Sequence, residues 1–247
     1  MKQIMMLLAV LVFSLSLWAK PDLTFDLETG LAIPGYNDVR IPNNDNHTRF
    51  SLKEDLDLSP TLHARLNVHW KVHPRHQVSL LATPLTLKAE GKFDRNVKYQ
   101  GTTFMAGEPI DATYRFDSYR LQYRYVLPQD WFLIRSFGAS LKLRDAEIAL
   151  ETTGNKKATK TNTGLVPLLA LEAGYRVNPK LDLVMLAEGL ASPYGRAEDV
   201  FVGAIYDIKP NIGLKAGYRF LEGGSDIDEV YTFAAVHYLA LGARIKL

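Results

Sequence analysis

Residues 231–247 read Tyr-Thr-Phe-Ala-Ala-Val-His-Tyr-Leu-Ala-Leu-Gly-Ala-Arg-Ile-Lys-Leu, and the period of this stretch decides the class of fold. Tyr231, Phe233, Ala235, His237, Leu239, Leu241, Ala243, Ile245 and Leu247 share one parity, while the other ends in Arg244 and Lys246. Successive side chains of a strand point to opposite faces, so the segment sets a neutral face against a more polar one. The same rhythm runs backwards through the chain. Ile212, Leu214, Ala216, Tyr218 and Phe220 alternate with Gly213, Lys215, Gly217 and Arg219. Leu165, Pro167, Leu169, Leu171, Ala173, Tyr175 and Val177 oppose Glu172, Gly174 and Arg176, and Tyr119, Leu121, Tyr123 and Tyr125 oppose Arg120, Gln122 and Arg124.

The connections between these runs are of two kinds. His73-Pro74-Arg75-His76, Pro128-Gln129-Asp130, Asn178-Pro179-Lys180 and Lys209-Pro210-Asn211 are short turns that each contain proline. Between them lie polar stretches near residues 34–60, 89–111, 145–163, 192–199 and 221–229. Short turns at one end and long loops at the other describe an all-β, antiparallel up-and-down barrel. The spans 22–33, 61–73, 76–88, 112–126, 131–144, 164–177, 181–191, 199–208, 211–221 and 230–247 give about ten strands, with eight or twelve as alternatives. Phe93, Val97 and Tyr99 lie where an extended hairpin or a further strand pair would fall.

Composition agrees. Twelve Tyr, eleven Phe, seventeen Gly and twelve Pro suit strands and turns better than a helical bundle. The absence of cysteine excludes a disulfide framework, a thiolate metal site and a cysteine nucleophile. With 29 bases against 27 acids, no global charge argues for nucleic acid. Lys2, the apolar run Met5–Leu17 and Leu17-Trp18-Ala19 read as a secretory signal peptide, the run of about 13 residues being too short to span a bilayer as a helix. The expected organisation is a signal peptide at 1–19 and a single barrel at 20–247.

Together the signal peptide, lack of cysteine, Pro turns, polar loops, Tyr-rich strand ends and alternating final strand resemble small bacterial outer-membrane β-barrels of the broad OmpA and OmpW type. The resemblance covers nearly all of residues 20–247 and is one of architecture. It implies a bacterial outer-membrane location with both termini periplasmic, contact with membrane lipid and lipopolysaccharide, and a final strand read by the barrel-assembly machinery. Such barrels typically end on an aromatic residue; this chain keeps the parity but ends on Leu247. A periplasmic lipocalin-like barrel, with apolar residues inside, is the alternative that alternation by itself leaves open.

The candidate site is the lumen. Glu172, Arg176, Glu188, Lys215 and Arg219 fall on the polar face of successive strands, and Arg120, Arg124 and Lys142 add positive charge. About ten strands leave an interior largely filled by side chains. The acids are therefore expected to pair with these bases and close the pore, giving a structural or narrow-passage role. Lys156, Lys157 and Lys160 in one loop, and Lys92, Arg95 and Lys98 in another, would suit lipopolysaccharide phosphates.

Enzymes on this scaffold form the competing class. The omptin proteases, which this chain resembles in strand number, activate water with an Asp pair and an Asp–His pair. Asp55-Leu56-Asp57, Asp226-Ile227-Asp228 and Asp45-Asn46-His47 have those compositions, with His47 as the base and Asp45 orienting it. A lipid-modifying activity would need Ser, His and acid at one depth, but His76 and Ser79 have opposite parity. His63, His69, His73 and His76 crowd one hairpin, but His69 and His73 on a strand stand about 13 Å apart, too far to share an ion. No metal, cofactor or nucleic acid is expected, and the oligomeric state is left open.

Overall fold

The computed structural model describes residues 22–128 and 133–247. The signal-peptide expectation and most of the Pro128-Gln129-Asp130 turn lie outside them. Fifteen strands follow in order: β1 (Asp22–Arg40), β2 (Phe50–Ser51), β3 (Leu56–Leu58), β4 (Thr61–His73), β5 (His76–Thr83), β6 (Thr86–Lys92), β7 (Val97–Tyr99), β8 (Thr102–Phe104), β9 (Pro109–Val126), β10 (Ile134–Thr152), β11 (Lys157–Asn178), β12 (Leu181–Ser192), β13 (Gly195–Lys209), β14 (Ile212–Ile227) and β15 (Val230–Lys246).

Each long strand pairs antiparallel with its neighbour, and β1 pairs with β15 from Thr24–Lys246 to Arg40–Tyr231. The sheet therefore closes, and no edge runs the height of the wall. β5 and β6 both pair with β9 and count as one interrupted strand, which makes ten. The interruption falls at Pro84-Leu85, where proline cannot donate to the ladder and Leu85 N–H turns instead to Asp117 Oδ1 at 3.1 Å.

The expected strands are present, and those that differ in length do so mainly at the long-loop rim. Residues 145–163, expected as a loop, are β10 and β11 running on to a turn at 153–156. Likewise 192–199 and 221–229 are mostly strand, closed by two-residue turns. The reason is a reversal of polarity at constant parity. On β9 the inward positions Arg124, Gln122, Arg120 and Ser118 give way to Phe116, Tyr114, Ala112 and Ile110. The outward positions Tyr125, Tyr123, Leu121 and Tyr119 give way to Asp117, Arg115, Thr113 and Asp111.

On β10 the outward Leu141 and Leu143 are followed by Asp145 and Glu147; on β11 Thr163, Thr161 and Thr159 lie beyond Leu165. Tyr119, Leu143 and Leu165 are register partners, as are Asp117, Asp145 and Thr163, so one boundary crosses all three strands. Below it the wall is apolar outside and polar inside; above it the order is that of a barrel in water. Just above it, Arg115 pairs outward with Asp145 at 2.8 Å and Asp117 at 3.2 Å.

The upper interior is a hydrophobic core. Residues 41–60 and 93–108 fold over the mouth and bury Ile41, Phe50, Phe93, Val97, Tyr99 and Phe104 against the inner wall. The Phe50 ring meets Phe93 and Tyr99 edge-on, at 5.4 and 5.6 Å between centroids. The small β7–β8 hairpin is the extension that Phe93, Val97 and Tyr99 foreshadow, turned inward as a cap.

Candidate functional site in the barrel lumen

Below the boundary, even-numbered residues of β1 and odd-numbered residues of β13 and β14 face inward. This places Asp26, Glu28, Asp199, Lys215 and Arg219 inside, where each is buried. Across the lumen, β9 supplies Arg120 and Arg124, β12 supplies Glu188 and β4 supplies Arg65.

The charges interlock. Asp199 receives three guanidinium groups: Arg219 at 2.5 Å, Arg120 at 2.7 Å and Arg65 at 3.0 Å. Arg219 also grips Glu28 with two nitrogens, at 2.7 and 2.8 Å, a fork on a carboxylate. Lys215 bridges Asp26 and Glu28, each at 2.8 Å, and Arg244 reaches Asp26 at 3.2 Å. Arg120 and Gln122 both bond Glu188. Nearer the short-turn rim, Arg124 meets Glu172 at 3.0 Å and Arg135 meets Asp182 at 2.5 Å. Each carboxylate thus has a cation, the condition under which buried charge is tolerated.

Of the residues expected in the lumen, Glu188 pairs with Arg120 and Glu172 with Arg124, while Lys215 and Arg219 pair with acids of β1. Two others differ. Arg176 sits half-exposed at the short-turn rim, paired with Asp207 at 3.3 Å and Asp182 at 3.6 Å, because β11 has by then left the lumen for the turn at Pro179. Lys142 is buried in the lumen at 2% exposure but has no carboxylate within ion-pair distance among the described residues. Its ammonium instead lies 4.6 Å from the centre of the Phe116 ring. Asp26, Glu28, Arg65 and Asp199, the centre of the lattice, escaped the sequence reading. Their signal was the alternation of β1, where Asp26 and Glu28 flank the outward Leu27.

The lattice leaves little space. Cavities of about 30 and 10 Å³ remain among its side chains, against about 10–15 Å³ for one water. Beside the larger one, His69 Nδ1 lies 2.8 Å from Ser79 Oγ and 3.1 Å from Gln77 Nε2. This Ser–His contact runs across the β4–β5 ladder, where His69 and Ser79 are register partners, and so is invisible to parity within one strand. The cavity beside it, about 30 Å³, holds roughly two waters.

Above the lattice a second cavity of about 430 Å³ opens under the cap, lined mostly by apolar groups, with Lys142 and Arg144 at its wall. The proposed protease residues do not converge there. His47 Nδ1 bonds Asn44 Oδ1 at 2.8 Å rather than Asp45, Asp55 is held by Arg95 at 2.9 Å, and Asp226 accepts from Asn43 at 2.8 Å. Asp57 lies in β3 opposite Glu90, and the Asp228 carbonyl accepts from Asn43 N–H. Among the described residues no cluster of three or more metal-ligating side chains occurs.

Of the basic loop residues, Lys156 pairs with Glu108 at 2.9 Å, Lys157 with Glu151 at 3.2 Å, and Lys160 borders the upper cavity. On the outer wall His237 fits an aromatic band, its ring 6.0 Å from Tyr218 and 5.3 Å from Phe220.

Among solved structures, the outer membrane protease OmpT from Escherichia coli superimposes with a TM-score of 0.58 at 8% identity, covering 94% of this chain and 99% of that one. This chain is an outer-membrane β-barrel in fold. Looser likenesses are Ail, the attachment invasion locus protein of Yersinia pestis, with a TM-score of 0.41 at 12% identity over 92% and 99% of the chains, and Neisserial surface protein A, at 0.35 and 13% over 90% and 97%. No family model and no curated protein matches the sequence. The likeness is one of fold, and fold alone assigns no role.

Proposed function

We propose that the chain is a resident of the bacterial outer membrane, with both termini in the periplasm, whose barrel is closed to through-flow and serves a structural role. The observation that carries this reading is the lumen lattice, in which Asp26, Glu28, Glu188 and Asp199 are matched by Lys215, Arg219, Arg120, Arg65 and Arg244. Open porins use roughly 16 or more strands, whereas a barrel of this size fills with side chains. The outward leucines below the boundary support burial in lipid, since a continuous apolar wall of that kind in water would be an aggregation surface.

Lipopolysaccharide phosphates are the expected neighbours of Lys157 at the tip of the β10–β11 hairpin, and the assembly machinery that of β15. Planar-bilayer recording of the purified protein tests the closed lumen. Rare, small events are expected; a large and steady conductance overturns it.

A further inference from the structure

β11 is a strand of 22 residues that pairs with β10 along almost its whole length but with β12 only from Leu169–Gly189 downwards. Above that point β12 continues as Leu190, Ala191 and Ser192, which pair only with β13. Over residues 157–168, β11 therefore has a neighbour on one side alone. Pro167, two residues above the last pair, explains why the ladder stops: it has no N–H to give to a partner on the open side.

The gap lies at the polarity boundary, where outward Leu165 meets Thr163. Unpaired backbone is not tolerated in the middle of hydrocarbon but is tolerated at its edge or beside a cavity. Leu165, Val166 and Pro167 on one side of the gap and Leu190, Ser192 and Tyr194 on the other all border the 430 Å³ cavity. The cavity thus reaches the wall of the barrel at the height of the gap.

Just inside stands Lys142, the register partner of Val166. It is buried and, alone among the lumen bases named above, lacks a carboxylate. Its neighbour Arg144 bonds Asn162 but leaves Nε without an acceptor. The cavity's two acids already have cations, Glu222 meeting Arg196 at 2.8 Å and Glu147 meeting Arg115 at 3.7 Å, and Lys160 adds a further base to its wall. Cations with unused capacity in a mostly apolar cavity of this size call for an anion attached to an apolar body. Neither a plain inorganic anion nor a neutral hydrocarbon satisfies both parts.

We propose that the upper cavity binds a single-chain amphipathic carboxylate, its head on Lys142 and Arg144 and its tail in the apolar space, and that the ligand enters sideways from the outer leaflet between β11 and β12. A conjugated polyene fatty acid that fluoresces in apolar surroundings serves as probe, offered to the full-length protein in lipid nanodiscs. Saturable binding is expected, at least tenfold weaker in Lys142→Met. The matching long-chain alcohol should bind wild type no better than the acid binds Lys142→Met.

Because the chain has no cysteine, the pair Leu168→Cys and Leu190→Cys introduces the only thiols, one residue above the last β11–β12 register pair, Leu169–Gly189. Oxidation should slow uptake of probe preloaded in the bilayer at least tenfold, and reduction should restore it. Val166→Trp, which fills the mouth of the gap without needing a bond, should slow uptake as well. No saturable binding, or equal binding of acid and alcohol, overturns the site. Unchanged uptake in both the oxidised pair and Val166→Trp overturns the sideways entry.

Discussion

Asp199→Asn is the sharpest perturbation of the lattice, because three arginines share that one carboxylate. Arg219 would keep Glu28 and Arg120 would keep Glu188, but Arg65 has no other ion-pair partner among the described residues. The substitution therefore strands one buried guanidinium, and removing one member of a buried pair costs about 3–5 kcal/mol. That is roughly a hundredfold to several-thousandfold in the folding equilibrium.

Urea titration of protein folded in phospholipid vesicles, read by tryptophan fluorescence and by heat-modifiable gel mobility, measures the cost. Glu151→Gln, which loses only the exposed contact with Lys157, should leave the midpoint where it is. Arg65→Met added to Asp199→Asn should recover part of the loss, since the stranded charge is then gone. A midpoint for Asp199→Asn equal to that of Glu151→Gln would refute the claim that the lumen lattice stabilises the barrel. Glu188→Gln should cost less than Asp199→Asn, because Arg120 retains Asp199.

Two further outcomes are expected. A tag inserted at Lys157 should be labelled on intact cells and one at Pro179 should not, and the reverse labelling would invert the orientation. The cap should hold to lower pH than ordinary carboxylates allow. Burial pushes the Asp55 carboxyl up, but the Arg95 hydrogen bonds, the Ser51 N–H and the Arg95 charge together outweigh it and leave the pKa below its usual value; the Lys156 hydrogen bond lowers that of Glu108. A depressed folded pKa contributes stability above the ordinary range and loses it as pH falls through the lowered value. Amide-exchange protection of β7 and β8 should therefore be constant from pH 8 to about 5 and drop only below about pH 4. Loss of protection between pH 7 and 5 would show that other groups hold the cap.

Period two located the strands because backbone pairing forces side chains to alternate whatever the solvent. It misjudged their ends, because polar outward residues such as Asp145, Glu147 and Thr161 look like loop when they are strand standing in water. The cue was present: on β9 the even positions pass from Arg120 to Phe116 as the odd ones pass from Leu121 to Asp117. Such an exchange of faces at unbroken parity marks a strand leaving the bilayer. Glu172 and Glu188 were legible as lumen acids for the same reason. Asp199 was not singled out, since its three partners come from β4, β9 and β14, and contacts across a closed lumen leave no trace in local spacing. The β11–β12 gap was equally hidden. Pro167 was counted as an outward apolar residue, and only the register shows that a ladder ends there.

The seam between β1 and β15 gives the lattice a bearing on how the barrel is made. Asp26 and Glu28 come from the first strand, whereas Lys215, Arg219 and Arg244 come from the last two, about 190–220 residues later. Until β15 zips onto β1, Arg219 keeps Asp199 of the neighbouring β13, but Asp26, Glu28, Lys215 and Arg244 lack the ion pairs described above, and each of these four would carry an uncompensated charge into low dielectric. A half-closed intermediate is thus repelled from the bilayer by its own ends. Contacts so distant in sequence form late and slowly, so the commitment to insert is tied to arrival of the C-terminus. A chain truncated before β14 would retain acids on its leading strand with nothing to neutralise them, and would wait in solution, exposed to proteases, rather than enter the membrane as a leaky ring.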